Sequence, residues 1–85
     1  MPKIEIYSSR WCPFCVRAKM LLDSKNVSYN EIDVDAEPQQ RALMRERTQR
    51  TSVPQIFIGD THVGGCDDLY ALERNGQLDP LLNAE

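Results

Sequence analysis

The chain has 85 residues, 41% of them hydrophobic and 27% charged, with ten Lys and Arg against thirteen Asp and Glu for a formal net charge of −3. That length supports one domain over residues 1–85 with a modest core, and the composition excludes a disordered chain. The acidic balance gives no long-range attraction to nucleic acid or to an anionic membrane, so neither is expected as a partner.

At the N-terminus, charges interrupt every apolar stretch of Met1-Pro2-Lys3-Ile4-Glu5-Ile6. Neither a signal-peptide core nor a span of about 20 apolar residues can be drawn, and a cytoplasmic location is the expectation. Lys3 to Tyr7 alternates polar and apolar residues as a strand with one buried face does, and Ser8 to Trp11 then forms a loop. From Pro13 onward Phe14, Ala18, Leu21 and Leu22 recur at helical spacing, Pro13 suits the first helical position, and Asn26 closes the helix left-handed.

Residues 27–34 alternate β-branched and aromatic residues with polar ones, and Pro38 opens a second helix through about Thr48. Gln55 to Ile58 and Thr61 to Val63 flank Gly59-Asp60, which predicts a two-residue antiparallel hairpin. After Gly64-Gly65, a third helix runs from Asp67 to Arg74 with acids in its first turn and Gly76 just beyond, followed by a short tail to Glu85. The order β-α-β-α-β-β-α implies a small four-stranded mixed sheet flanked by helices, of the α/β class. Cys12 then lies at a strand end, on the loop feeding a helix N-terminus, where open α/β sheets bind ligands.

The three cysteines are unevenly placed, with Cys12 and Cys15 three residues apart and Cys66 alone, which does not suit a secreted disulfide framework. Two thiols at i and i+3 across a helix start can form a tight disulfide while the first stays exposed. Unpaired backbone N–H groups and the helix dipole favour a thiolate at such a position, so Cys12 is the candidate nucleophile, with Arg10 and Arg17 nearby to add to the effect. Cys15, one turn on, is the candidate resolving thiol. Two structural thiols, or half of a zinc site, are the competing readings; no second pair of Cys or His at ligand spacing supports the latter, and no metal is expected.

Cys12-Pro13-Phe14-Cys15, Ser52-Val53-Pro54 and Gly64-Gly65-Cys66-Asp67-Asp68 together resemble the three signatures of the dithiol glutaredoxin family, in its thioredoxin-like fold, and the resemblance covers essentially the whole chain. It implies a glutathione-dependent thiol–disulfide oxidoreductase acting on protein disulfides and glutathione mixed disulfides. Glutathione would be a co-substrate, itself renewed by glutathione reductase, with no tightly bound cofactor and a monomeric protein. By the same resemblance the Val53–Pro54 bond is cis, and the Val53 backbone pairs with the cysteinyl part of glutathione. Asp67 and Asp68 meet its γ-glutamyl end, although both also suit simple helix capping. Arg41 matches the family's contact to the glycyl carboxylate.

Two residues depart from the common pattern. Phe14 stands where tyrosine is frequent, so a hydroxyl is missing while a ring still flanks the substrate. Ser9 stands where lysine is common, which shifts thiolate stabilisation and carboxylate binding toward Arg10. Cys66 is expected to be a small, partly buried residue, and His62 an exposed one unrelated to catalysis. A donor other than glutathione, through thioredoxin reductase, and an iron–sulfur module held by Cys12 of two copies are the rival readings; Pro13 weighs against the second.

Overall fold

The computed structural model describes residues 2–84; Met1 and Glu85, the ends of the expected first strand's leader and of the expected tail, lie outside the described residues. The elements are β1 (Ile4–Ser8), α1 (Pro13–Ser24), β2 (Asn30–Asp33), α2 (Pro38–Thr48), β3 (Gln55–Ile58), β4 (Thr61–Gly64), α3 (Cys66–Arg74) and α4 (Leu78–Leu82). They form one four-stranded sheet in the order β2-β1-β3-β4. β1 runs parallel to β2 and antiparallel to β3, and β3 pairs antiparallel with β4. This is the thioredoxin-like α/β arrangement expected, with one additional helix.

Both faces of the sheet are covered, and the period of two along each central strand sorts its side chains between them. Ile4 and Ile6 of β1 and Ile56 and Ile58 of β3 face one cluster, packed against Ala18 and Leu22 of α1, Leu69 of α3, and Leu78 and Leu82 of α4. Tyr7 and Phe57, one residue out of phase, face a smaller cluster with Val34 and with Met44 of α2. β1 was expected to bury one face. It buries two because it sits between β2 and β3 with helices on either side.

Local signals explain most of the boundaries. Pro13 and Pro38 open α1 and α2, where the missing N–H costs nothing. Asn26, at φ 58°, turns the chain out of α1 in the left-handed region, as its short polar side chain allows. β2 is shorter than the alternating run 27–34, since pairing starts only where Asn30 stands opposite Glu5. Val27 and Tyr29 pack against the larger cluster without joining the ladder. The tail after Gly76 is partly helical: Leu78 and Leu82, spaced by four, are buried and close α4 onto the core. Pro80 is tolerated there because it lies in the first turn.

Leu69 is fully buried where α3 meets α1 and the sheet. Leu69→Ala is expected to lower the unfolding free energy by about 2–5 kcal/mol, the transfer loss plus a cavity, measured by urea denaturation.

Candidate functional site

β1 delivers the chain at Ser8 to a loop, and Cys12 becomes the N-cap of α1 with extended backbone, φ −118° and ψ 102°. Its Sγ accepts the Cys15 N–H at 3.1 Å, and its carbonyl accepts the Val16 N–H at 3.1 Å. The sulfur thus replaces the oxygen that usually satisfies an orphan N–H at a helix start. In its protonated form the Cys12 thiol also donates to the Val53 carbonyl at 3.7 Å.

Cys15 is in a different environment. It is fully buried, and its thiol is pushed up to about 12, first by loss of solvent and then by its hydrogen bond with Cys12. Cys12 is only half-buried. The two sulfurs, one turn apart, are therefore chemically unequal, with the outer one accessible and the inner one held protonated.

The Val53–Pro54 peptide bond is cis, and Pro54 is buried. Beside it lies a cleft of about 280 Å³ whose wall includes Phe14, Arg50, Val53, Pro54, Asp67 and Asp68. That volume lies just below the range of about 300–1,000 Å³ typical of pockets for drug-sized ligands. The remaining wall is Ser52, Gln55, Gly65 and Cys66. Asp68 caps α3 by accepting the Gly65 N–H at 2.9 Å and pairs with Arg50 at 3.2 Å; the N–H first and the guanidinium second hold its carboxyl below the usual range. Gly64, at φ +115°, permits this, because a Cβ there would stand 2.2 Å from the Asp68 carboxylate oxygen.

Of the residues singled out from the sequence, Phe14, Val53, Pro54, Asp67 and Asp68 share this cleft, while Arg10 and Arg41 do not line it. Arg10 borders a separate depression with Trp11, Asp33, Asp35 and Ala36. Arg41 pairs with Asp35 at 2.9 Å, and Asp35 also accepts the Ser9 hydroxyl. Arg17 lies over the Tyr70 ring at 5.5 Å. The cation that does line the cleft is Arg50, one of four arginines in and just after α2 with Arg41, Arg45 and Arg47; the resemblance favours Arg41 among them, and no local signal sets Arg50 apart. Cys66 is buried, which pushes its thiol up. His62 is half-buried rather than exposed, since its ring stacks on Phe57 and its Nε2 meets Gln55 at 2.7 Å.

Among the described residues no group of three or more His, Cys, Asp or Glu side chains is arranged to hold a metal ion, and no helix is long and apolar enough to cross a membrane. A Cys-x-x-Cys pair at the start of the helix after a central strand, beside a cis-proline cleft, defines a thiol–disulfide oxidoreductase of thioredoxin-like architecture. The family model for glutaredoxins matches residues 4–63. The chain is 56% identical over 84 residues to a glutaredoxin of Pseudomonas aeruginosa, covering 99% of this chain and 100% of that one. It is 55% identical over 82 residues to glutaredoxin 3 of Escherichia coli, covering 96% and 99% respectively. The crystal structure of a buckwheat glutaredoxin–glutathione complex superposes with a TM-score of 0.88 at 33% identity, over 95% of this chain and 76% of that one. The chain belongs to the glutaredoxin family.

Two outcomes follow from this geometry. Brief iodoacetamide treatment near pH 7 is expected to label Cys12 and leave Cys15 and Cys66 unlabelled until denaturant is added, as read by peptide mass spectrometry. Asp68 has a folded-state value below that of the unfolded carboxyl, about 3.9, so its charge stabilises the fold above that pH and the contribution disappears as pH falls through the folded value. Asp68→Asn should therefore be less stable than the wild type near pH 6 by about 0.5–1 kcal/mol, the scale of a half-exposed cap and ion pair, and the gap should close on acidification below about pH 4.

Proposed function

We propose that the protein is a glutathione-dependent disulfide reductase in which Cys12 is the nucleophile and Cys15 the resolving thiol. The observation that carries this reading is the Cys15 N–H donating to Cys12 Sγ at 3.1 Å while the Cys15 thiol is itself buried and held protonated. It supports a division of labour in which only Cys12 meets the substrate first.

In the first step the Cys12 thiolate attacks one sulfur of a disulfide, forming a mixed disulfide and expelling the other sulfur as a thiolate, which takes up a proton. With a glutathione mixed disulfide, the glutathionyl group moves to Cys12 and a second glutathione thiolate removes it as glutathione disulfide. With a protein disulfide, Cys15 gives up its proton and attacks the mixed disulfide, releasing the reduced protein; two glutathiones then reduce the Cys12–Cys15 bond. Glutathione reductase restores glutathione in turn. The chemistry needs no metal or organic prosthetic group.

Glutathione is supported as the co-substrate by the similarity to a glutaredoxin solved with it, and by a cleft that joins a backbone edge at Val53 to a helix N-terminus at Asp67 and Asp68. In this reading Val53 pairs with the cysteinyl backbone, Pro54 and Phe14 flank the sulfur, and Asp67 and Asp68 meet the γ-glutamyl end. Arg10 and Arg41 serve the glycyl carboxylate, Arg41 by exchanging Asp35 for it. The protein works as a single-domain monomer in the cytoplasm, on disulfide-bearing and glutathionylated proteins, with neither nucleic acid nor membrane as a partner.

NADPH consumption coupled through glutathione and glutathione reductase tests the donor and the two thiols together. Cys12→Ser is expected to fall to the uncatalysed background with both a small glutathione mixed disulfide and a protein disulfide. Cys15→Ser should retain the first activity and lose the second. Full activity in Cys12→Ser overturns the mechanism, and turnover supported only by thioredoxin reductase overturns the donor.

A further inference from the structure

The segment between α2 and β3 carries the Val53–Pro54 edge, and a buried side chain ties it to the far strand of the sheet. Gln55 is fully buried, so its amide needs partners on both its nitrogen and its oxygen. Nε2 lies 3.0 Å from the Ser52 carbonyl and 3.5 Å from the Ser52 hydroxyl. A carbonyl only accepts, so the amide nitrogen must face Ser52, and Oε1 must face the other way. There it meets His62 Nε2 at 2.7 Å. Because Oε1 also only accepts, the proton of a neutral His62 ring is required on Nε2.

Sheet register explains how His62 reaches that place. Phe57 pairs with His62 while Ile56 pairs with Gly64, so the ladder shifts by one residue between them. His62, its partner Phe57, and Gln55 two residues before Phe57 then share one face of the sheet. The ring stacks on Phe57 with centroids 5.0 Å apart and planes at 27°. Phe57 in turn lies under the Arg47 guanidinium at 3.9 Å. Burial first, then Arg50 and Arg47, push the imidazole below its ordinary value against the pull of Asp68, which keeps the ring neutral and leaves it one N–H to give.

We propose that His62 is a positioning residue for the substrate edge: through Gln55 it holds the Ser52 carbonyl, and with it the Val53 backbone, at the register that faces Cys12. Without the His62 donor, Gln55 Oε1 is left buried and unpaired. Turning the amide over gives no relief, since it sets Oε1 against the Ser52 carbonyl and leaves Nε2 without an acceptor; Oε1 regains a partner only if Gln55 moves, and the Ser52–Val53 segment bonded to it moves with it. The Cys15 N–H bond to Cys12 lies within the start of α1 and does not run through Gln55, and the edge touches the thiol only through the long contact of Cys12 Sγ with the Val53 carbonyl at 3.7 Å. The effect therefore falls chiefly on binding to the edge. This inference rests on the reading of Val53 as the edge that pairs with the glutathionyl group.

The test compares His62→Phe, which keeps a ring on Phe57 but has no donor, with His62→Gln, whose amide N–H reaches as far as Nε2. His62→Phe should raise KM for a glutathione mixed disulfide by about 5–30-fold, the cost of one unpaired buried acceptor, with kcat within about two-fold. Its rate of Cys12 alkylation by iodoacetamide should stay within about two-fold of the wild type, and His62→Gln should return KM to within about two-fold of the wild-type value. An unchanged KM in His62→Phe, or an equal loss in both variants, overturns the proposal. In the unaltered protein, a nitrogen-15 NMR spectrum of the histidine near pH 7.5 should show the proton on Nε2; a proton on Nδ1 sinks the proposal even where a variant does not fold. Absence of any glutathione-coupled turnover in the wild type would instead count against the reading of the edge as a glutathione site, and leaves the NMR result to decide the Gln55 tie.

Discussion

Strand β1 is hydrogen-bonded along both edges and covered on both faces, and the position of the Cys12 sulfur depends on that confinement. Ile4 and Ile6 are locked into one cluster and Tyr7 into the other, so the strand can neither slide nor rotate without exposing one set or the other. Its last residue, Ser8, is buried and hydrogen-bonded to Glu31 of β2 at 2.7 Å. The four residues that follow have only enough length to reach the start of α1, where Pro13 fixes the helical turn. The core thus brings Cys12 to the helix start, where its own contacts with the Cys15 and Val16 N–H groups hold it.

From that placement the asymmetry of the thiols follows. A helix start leaves backbone N–H groups without intrahelical partners, and here one of them is given to sulfur. One turn further in, a side chain on the inner face of an amphipathic helix is necessarily inside the protein, and Cys15 loses its water. The same three-residue spacing that lets the sulfurs approach each other therefore assigns them opposite environments. The cleft opposite is built from the chain's second half: the irregular segment before β3 contributes a backbone edge, and the start of α3 contributes N–H groups and two carboxylates. The thiol pair and the cleft are thereby supplied by different parts of the fold, joined at the Cys12 to Val53 contact.

Much of this was legible in the residues. Pro13, Asn26 and the spacing of Ala18, Leu21 and Leu22 delimited α1 because caps and helical periodicity act within a few residues. Gly59-Asp60 fixed the hairpin for the same reason. Other features were not. A five-residue helix is too short to show a period, so α4 read as a tail until Leu78 and Leu82 met the core. The run 27–34 read as one strand, whereas its ladder waits for Asn30, because where pairing begins depends on the partner strand. His62 read as a surface residue, whereas its pairing with Phe57 puts it on the sheet face that also carries Gln55. Arg50 gained meaning only when Asp68, eighteen positions away, was brought against it.

By itself, then, the sequence determined the order of elements through α3, the thiol pair at a helix start and the turn positions, since each arises from forces between neighbours along the chain: capping, backbone sterics and the period of apolar residues. Tertiary structure alone decided which distant groups meet. It set the Val53 carbonyl beside Cys12, gave Asp35 to Arg41 and Ser9, and connected His62 to the Ser52 carbonyl through a buried amide. These are contacts between side chains and backbone whose geometry is fixed by strand register and by the packing of helices on two faces of one sheet, and neither is encoded in any local stretch of residues.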